Sequence, residues 1–594
     1  MSRKRKNLTK SNANNADLSP QQPPLFQPDL RHLAPVLAVA LFIRLFYLHQ
    51  SQSDILSSHL VIDAKFYDDW ASQIAGGDWL GKTVFYQDPL YAYFLACLYK
   101  VWGHSLPYVR VCQAVLDTGT VALIFILAKR LFNPLVGLVS AALVAGLSPM
   151  VYYVGLLDKT TISIFLITAA LAITAKAISE KRLALYAAGG AAFGVSALSR
   201  GNMLVVAAAA LIWITLDEGF REVVSGLKRG ACFGLGVMAI VGVVAFRNYI
   251  VGHDAVLITA NPGLNFFIGN NPYTIGQYIE PPFLRGTPEY EGEDAHVAAE
   301  KQSGKTFTRS SEVSRYWFAQ GLDFILHDKK KWLTLSAKKI FLALNGFEIA
   351  ETYSYYYFQE KYWSLSLAAI TYGLIAPLGL VGAIMLLFRR NINILHVFAS
   401  CYLLSLVAFF VTSRYRIPLT IAWAPFAGWL LVEFWNKRRN ASFIVGIMPV
   451  LLAALFFSRW QPAWIEERVV RPTLSTAHTV AGYIYMGLND EENGIKELEL
   501  SKRANPGADV IYVYLGELYQ KRGDMNMALS NYEQALRLNP QQDMAWGAVG
   551  LIYFNRKDYR RAAIAFQNAL KIHPNEPIYQ SNFNAAVKNI QGAR

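Results

Sequence analysis

The chain has 594 residues, of which 54% are hydrophobic and only 16% charged, with a mean hydropathy of +0.25. Soluble domains carry roughly 25% charged residues, so this balance excludes an ordinary soluble protein and points to a body facing lipid. The net charge of +14 does not indicate nucleic acid, because its basic residues sit in short clusters between apolar runs, such as Lys129-Arg130, Lys181-Arg182, Lys228-Arg229, Arg389-Arg390 and Lys437-Arg438-Arg439.

Residues 1–30 are rich in Lys, Asn, Gln and Pro and lack apolar periodicity, which reads as a disordered basic tail. Apolar runs of spanning length, about 17–25 residues, then recur near 33–50, 107–128, 134–155, 159–177, 183–199, 201–216, 230–250, 363–388, 391–412, 415–435 and 441–458. The expectation is an all-α, polytopic helical bundle of about 11 spans. With the basic tail on the cytoplasmic side, every later basic cluster falls on that side too, as the positive-inside rule requires. The loop around Asp63, the turn at Asp158, the segment 251–362 and everything after 459 then face outward. The stretch after Pro89 (PLYAYFLACLYKVWG) is short and aromatic, more like an interfacial helix than a span.

Residues 459–594 contain an internal repeat: Gly482, Gly516 and Gly550 stand 34 residues apart, and Tyr485, Tyr519 and Tyr553 each follow three residues later. Ala528 and Ala562, then Tyr532 and Phe566, recur at the same period, and Pro506, Pro540 and Pro574 close the units. This is the tetratricopeptide pattern, in which small residues let two antiparallel helices approach and aromatics fill the gap. Its first unit is degraded, with Gly494 in the alanine position. The domain reading is therefore a tail (1–30), a membrane body (31–458, with 251–362 as its outer loop region) and a repeat domain (459–594).

Chemistry is expected where charge is placed at a cost. Asp63 follows apolar Leu60-Val61-Ile62 and precedes Phe66 and Tyr67; it is either a general base towards an incoming nucleophile or a solvated loop acid. Asp88, before a proline and an aromatic helix, and Asp158, between two spans and beside Lys159, are either helix caps or members of the same site. Arg200, Arg247, Arg414 and Arg416 lie at span ends that the inside rule leaves free of charge. There the planar guanidinium fork suits a phosphate, unless it snorkels to headgroups. No phosphate-binding loop motif is present, so any donor should arrive already activated. Cys97, Cys112, Cys232 and Cys401 show no metal or disulfide spacing, and the acids show no dense ligand cluster of the kind a divalent ion takes.

The order of these features resembles the GT-C glycosyltransferases, in particular the protein-mannosyltransferase and aminoarabinose-transferase branch. The resemblance is carried by the first span, Asp63 with Tyr67, Tyr86-Gln87-Asp88-Pro89-Leu90-Tyr91 and the Asp158 turn. Arg247-Asn248-Tyr249, Asn265 to Asn271 and Ser413-Arg414-Tyr415-Arg416-Ile417-Pro418 are similar to bacterial members with carboxyl-terminal tetratricopeptide repeats. The resemblance implies transfer of a hexosyl or pentosyl group from a polyprenyl-phosphate donor on the outer face of a bacterial inner membrane, by an inverting displacement. It needs no cofactor beyond the lipid-linked donor, and no metal is expected, though a divalent ion is not excluded. Asp63 would be the base, with Asp88 and Asp158 the accompanying acids. The Gln87-Asp88-Pro89-Leu90 motif lacks a lysine after its acid, so the resemblance implies that the donor phosphate would be met by Lys159, Arg247, Arg414 or Arg416. The acceptor would be a protein or an envelope glycan or lipid, with a protein partner on the repeat surface. The competing reading is a membrane-anchored tetratricopeptide scaffold with a degenerate transferase body. A transporter is disfavoured because most spans carry no central charge.

Overall fold

The computed structural model describes residues 28–216, 223–285, 288–574 and 576–592. Most of the expected tail therefore lies outside the described residues. The described residues are helical, and the one extended pairing among them is an isolated bridge between Leu147 and Ile370.

Among the described residues six helices are long and apolar enough to cross a membrane, including Arg31–Ser51, Leu106–Leu131, Thr160–Glu180 and Val224–Gly252. Five expected spans coincide instead with shorter apolar helices: Pro134–Ala145, Leu183–Ala197, Met203–Leu216, Tyr372–Phe388 and Ile394–Ala408. One of these has a specific cause. The run expected to span 134–155 is broken at Gly146-Leu147, where the main chain of Ile370 exchanges hydrogen bonds with Gly146 and Ser148 at 2.9 Å each. The interrupted helix leaves carbonyls without intrahelical donors. Arg44 meets one of them, donating to the Ala145 oxygen at 3.0 Å while its Nε binds the buried Asp117 carboxylate. A charged pair inside the bundle is thus tied to the break it repairs.

Small residues set the tightest contacts. Gly190 and Gly194 form a small-x-x-x-small face on the Leu183–Ala197 helix, and a Cβ on Gly190 would lie 1.9 Å from the Phe233 carbonyl oxygen. Close backbone approach of this kind drives helix association where lipid supplies no hydrophobic difference.

The two ends of the bundle differ in charge. At one end Arg130 lies 3.7 Å from Glu180 and Arg389 lies 2.9 Å from Glu433, beside the basic turns at Lys181, Lys228 and Lys437. The other end gathers Asp63, Asp158, Glu351 and Arg414. The helices Pro288–Ser303, Ser310–His327 and Lys329–Leu344 also belong to that end.

The repeat array follows from Arg471 as paired helices, including Asp509–Lys521 with Met525–Leu538 and Asp543–Asn555 with Tyr559–Ile572. The periodic glycines are the contact points: a Cβ on Gly482, Gly516 or Gly550 would meet Leu498, Tyr532 or Phe566 at 2.6, 2.7 and 2.6 Å. The degraded first unit is built into the body. Val469, Val470, Ala477, Ala481 and Ile484 share one core with the membrane helices. Gly550→Val should therefore overpack the third unit and cost about 1–3 kcal/mol. Thermal unfolding of the detergent-solubilised protein measures it, and an unaltered profile would show that the glycine is not a packing requirement.

Candidate functional site

Asp63 stands in the first turn of the Ile62–Ala75 helix. The residue before it, Ile62, has φ +51°, a left-handed conformation that a β-branched residue adopts at a cost of about 1–3 kcal/mol. The entry to this helix is thus bent at the point that aims the carboxylate.

Arg414 is the centre of the constellation. Its Nη1 donates to Asp63 Oδ2 at 2.5 Å and lies 3.6 Å from Asp158 Oδ2. Its Nη2 donates to Glu351, and the guanidinium sits over the Tyr415 ring, 5.1 Å from its centroid. Asp158 also accepts from the Thr160 N–H at 2.5 Å, so its capping role and its place in the site coexist. A cavity of about 40 Å³ lies among Asp63, Asp158, Glu351, Arg414, Tyr153 and Tyr353, which is space for roughly two or three waters. A much larger groove of about 780 Å³ opens beside it, reached from Ile62 and Phe66 and walled by Trp70, Phe85, Gln87 and Arg247.

The remaining expected residues divide. Asp88, half-buried, pairs with the buried Lys159, next to the cluster and not within it. Arg247 lines the large groove: its Nη1 donates to the Thr83 carbonyl at 2.6 Å and the group lies 3.8 Å above Phe85. Arg416 goes elsewhere. Its fork donates to the carbonyls of Leu342, Asn345 and Phe347 at 2.8, 2.5 and 2.5 Å and pairs with Glu348 at 3.3 Å. Those bonds hold the 345–348 backbone and leave little of the fork for a phosphate.

Three further groups join the site, of which sequence reasoning had singled out only Arg200. Glu351 lies on a strap in which Ile349 exchanges hydrogen bonds with Ser413, and the Ala350 N–H donates to Thr473 of the first repeat helix at 3.4 Å. Burial pushes its carboxyl up, while the Arg414 charge pulls it down. Arg200, read in the sequence as a span-end guanidinium suited to a phosphate or to headgroups, is buried and donates to the Arg414 carbonyl at 2.6 Å and to Thr160 at 3.3 Å. Its Nε and Nη1, like Arg414 Nε and the Tyr67 hydroxyl, are buried without a hydrogen-bond partner. Glu291, on the Pro288–Ser303 helix, accepts from Gln87 at 3.3 Å. Burial, and then the charges of Asp63, Glu280 and Glu351, push its carboxyl up to about 8. Among the described residues no group of three or more His, Cys, Asp or Glu side chains is arranged to hold a metal ion.

The fold and the site define a class, a polytopic helical membrane protein with a half-buried acid–arginine cluster at one mouth and a helical repeat array beside it. Residues 87–246 match the family model of dolichyl-phosphate-mannose-protein mannosyltransferases, and residues 511–542 match that of the tetratricopeptide repeat. The chain is thus a helical membrane bundle, part of which matches a glycosyltransferase family model, followed by tetratricopeptide repeats. Similar solved structures include the oligosaccharyltransferase AglB of Archaeoglobus fulgidus in complex with an inhibitory peptide and a dolichol-phosphate. It is 14% identical, with a TM-score of 0.38, over 79% of this chain and 59% of that one. ArnT of Cupriavidus metallidurans bound to undecaprenyl phosphate is 13% identical, with a TM-score of 0.33, over 69% and 80%. The Sgt2 tetratricopeptide domain of Aspergillus fumigatus is 19% identical, with a TM-score of 0.19, over 20% and 80%. The chain spans a little under two thirds of AglB's length. No curated protein matches the sequence.

The elevated Glu291 carboxyl carries a pH signature. The folded chain holds this proton above the usual value of 4.5, so the native state binds more protons than the unfolded chain between those limits. The contribution of Glu291 to stability is then complete at low pH and is lost as pH rises towards about 8. Chemical denaturation at about pH 5.5 and about pH 8.5 should show lower stability at the higher pH, and Glu291→Gln should flatten the difference. An equal slope in the variant would remove Glu291 as its source.

Proposed function

We propose that this chain is an integral-membrane glycosyltransferase. It moves a hexosyl or pentosyl group from a polyprenyl-phosphate carrier to a nucleophile on a protein or an envelope glycan or lipid, at the outer face of the membrane. The observation that carries the reading is the Asp63–Arg414 pair at a small polar cavity, with Asp158 and Glu351 beside it and a groove of ligand size next door.

The chemistry asks for two things. The acceptor hydroxyl or amide must lose a proton as it attacks the anomeric carbon, and the bond from that carbon to the carrier phosphate oxygen must break with charge collecting on the phosphate. Asp63 takes the proton. At rest the Asp63 carboxylate is engaged by Arg414. An anionic phosphate arriving at Arg414 competes for the guanidinium and frees the Asp63 oxygen to meet the acceptor's proton. Glu351 and Asp158 keep Arg414 in place during that exchange. The unpartnered N–H groups of Arg200 and Arg414, with Lys159 close by, supply positive donors for the departing phosphate. The large groove, with its Phe66, Trp70 and Phe85 faces, receives the acceptor.

Asp63→Asn should reduce transfer from a polyprenyl-phosphate sugar by at least about a hundredfold, in the range general-base removal usually costs. The variant should remain folded, because Asp158 and Glu351 still pair with Arg414, and its melting profile is recorded to separate lost transfer from lost folding. Mass spectrometry of glycopeptides and envelope lipids from membranes containing either form provides the readout. Undiminished transfer by the variant would remove Asp63 as the base. Absence of any glycan difference between membranes with and without the wild-type chain would favour the tetratricopeptide scaffold.

A further inference from the structure

The outer hairpin formed by helices Ser310–His327 and Lys329–Leu344 is anchored at three points, each at the end of an apolar helix. At its start, the Ser311 N–H and hydroxyl bind the Asp254 carboxylate at 2.8 and 2.6 Å, just beyond the end of the Val224–Gly252 span. At its finish, Asn345 donates to the Trp460 carbonyl at 2.9 Å and Phe341 packs on Phe457 and Trp460, where the helix after Ala441 ends. Between them the buried Lys339 ammonium donates to the Val407 carbonyl at 2.9 Å, at the close of the Ile394–Ala408 helix. The tip is held at the same level. Lys330 and Lys331 share a cleft of about 300 Å³ with Asn271 and Thr274, and the neighbouring Asn270 donates to the Ala408 carbonyl at 2.7 Å.

A hairpin pinned in this way lies along the boundary of the membrane body and does not stand away from it. Its inner face is spent on the fold through Val313, Trp317, Gly321 and Phe324. Its outer face is nevertheless apolar: Phe318, Leu322, Leu326, Leu333 and Ile340 are each at least 40% exposed. Positions 318, 322 and 326 recur every fourth residue, so they form one stripe. Phe246, Tyr249 and Ile250, in the last turns of the span that ends just before Asp254, are exposed as well. Beside it stand Lys329, Lys330 and Lys331, all exposed, and Lys338, whose ammonium lies 5.1 Å over the Trp464 ring. Asp328, 3.0 Å from Lys331, offsets one of these charges, and Asp323 pairs with His327 at 2.9 Å. The lysines retain a surplus of positive charge. An apolar stripe flanked by lysines at the level of a bilayer boundary has the chemistry of an interfacial helix on anionic lipid.

We propose that the 310–344 hairpin is a lipid-docking element, its apolar stripe seated at the acyl–headgroup boundary and its lysine cleft holding anionic lipid headgroups. The exposed stripe is then covered by lipid in place of water, and the outer-loop helices that roof the site are held at a constant height above the bilayer.

The test uses the full chain in nanodiscs, with the four native cysteines replaced by serine and a single fluorescent label at Leu326→Cys or Leu333→Cys. Glu293→Cys, on a neighbouring outer helix, is the control. The labels at 326 and 333 should be quenched several-fold more by a lipid carrying a doxyl group near the headgroup than by aqueous iodide, and the control should show the reverse order. Raising phosphatidylglycerol from none to about a third of the lipid should deepen the lipid quenching. The triple variant Lys329→Gln, Lys330→Gln, Lys331→Gln should lose that response without a change in melting, because all three side chains are exposed. Iodide quenching of 326 and 333 in both lipid mixtures would overturn the proposal. So would shielding from both quenchers, which marks a protein partner, or a phosphatidylglycerol response that survives in the triple variant.

Discussion

A single guanidinium, that of Arg414, holds the mouth of this protein together. A buried arginine is tolerable only where carboxylates and hydrogen bonds replace the water it has lost. Here the replacements come from three distant parts of the chain: Asp63 after the first span, Asp158 at the head of another, and Glu351 on a loop before the later spans. Removing any one of them changes the field felt by the other two. The arrangement couples structure to chemistry, because the group that stabilises the acids is also the one that an incoming phosphate would engage.

The strap carrying Glu351 extends that coupling into the repeat array. Within a few residues it meets Ser413, Thr412 and Thr473, the last on the first repeat helix. A further set of charges, Asp54, Lys361, Glu497 and His478, crosses the same border. The first repeat shares the hydrophobic core of the membrane body, so the array is a wall of the bundle and not a tethered appendage. This explains why that unit departs from the repeat pattern. Its surface is shaped by the strap and the Tyr355–Lys361 helix, and only the later units are free to follow the period.

Much of the site was visible in the order of residues, in different degrees. Asp63, Asp158 and Arg414 could each be assigned to one end of the bundle because charge at a span boundary is costly and stands out against apolar neighbours. Arg416 stood out for the same reason, yet it serves the backbone. Two residues apart on a helical turn are roughly 200° apart around the axis, so Arg414 and Arg416 face opposite directions. Glu351 and Glu291 lie in polar segments, where an acid is unremarkable until its surroundings are known. The break at Gly146-Leu147 was hidden for another reason: hydropathy does not register a main-chain partner such as Ile370 inserted from elsewhere.

Sequence alone determined the lipid-facing body, the asymmetry of charge between its ends and the 34-residue array. Each of these rests on a local regularity: run length, cluster spacing, or a glycine opposite an aromatic one helix later. Tertiary structure decided which acids meet which arginines. Asp63 and Arg414 are 351 positions apart, and no local periodicity links groups so distant. Their meeting depends on how the membrane helices pack through faces such as Gly190 and Gly194, and on the high cost of leaving a desolvated charge unpaired.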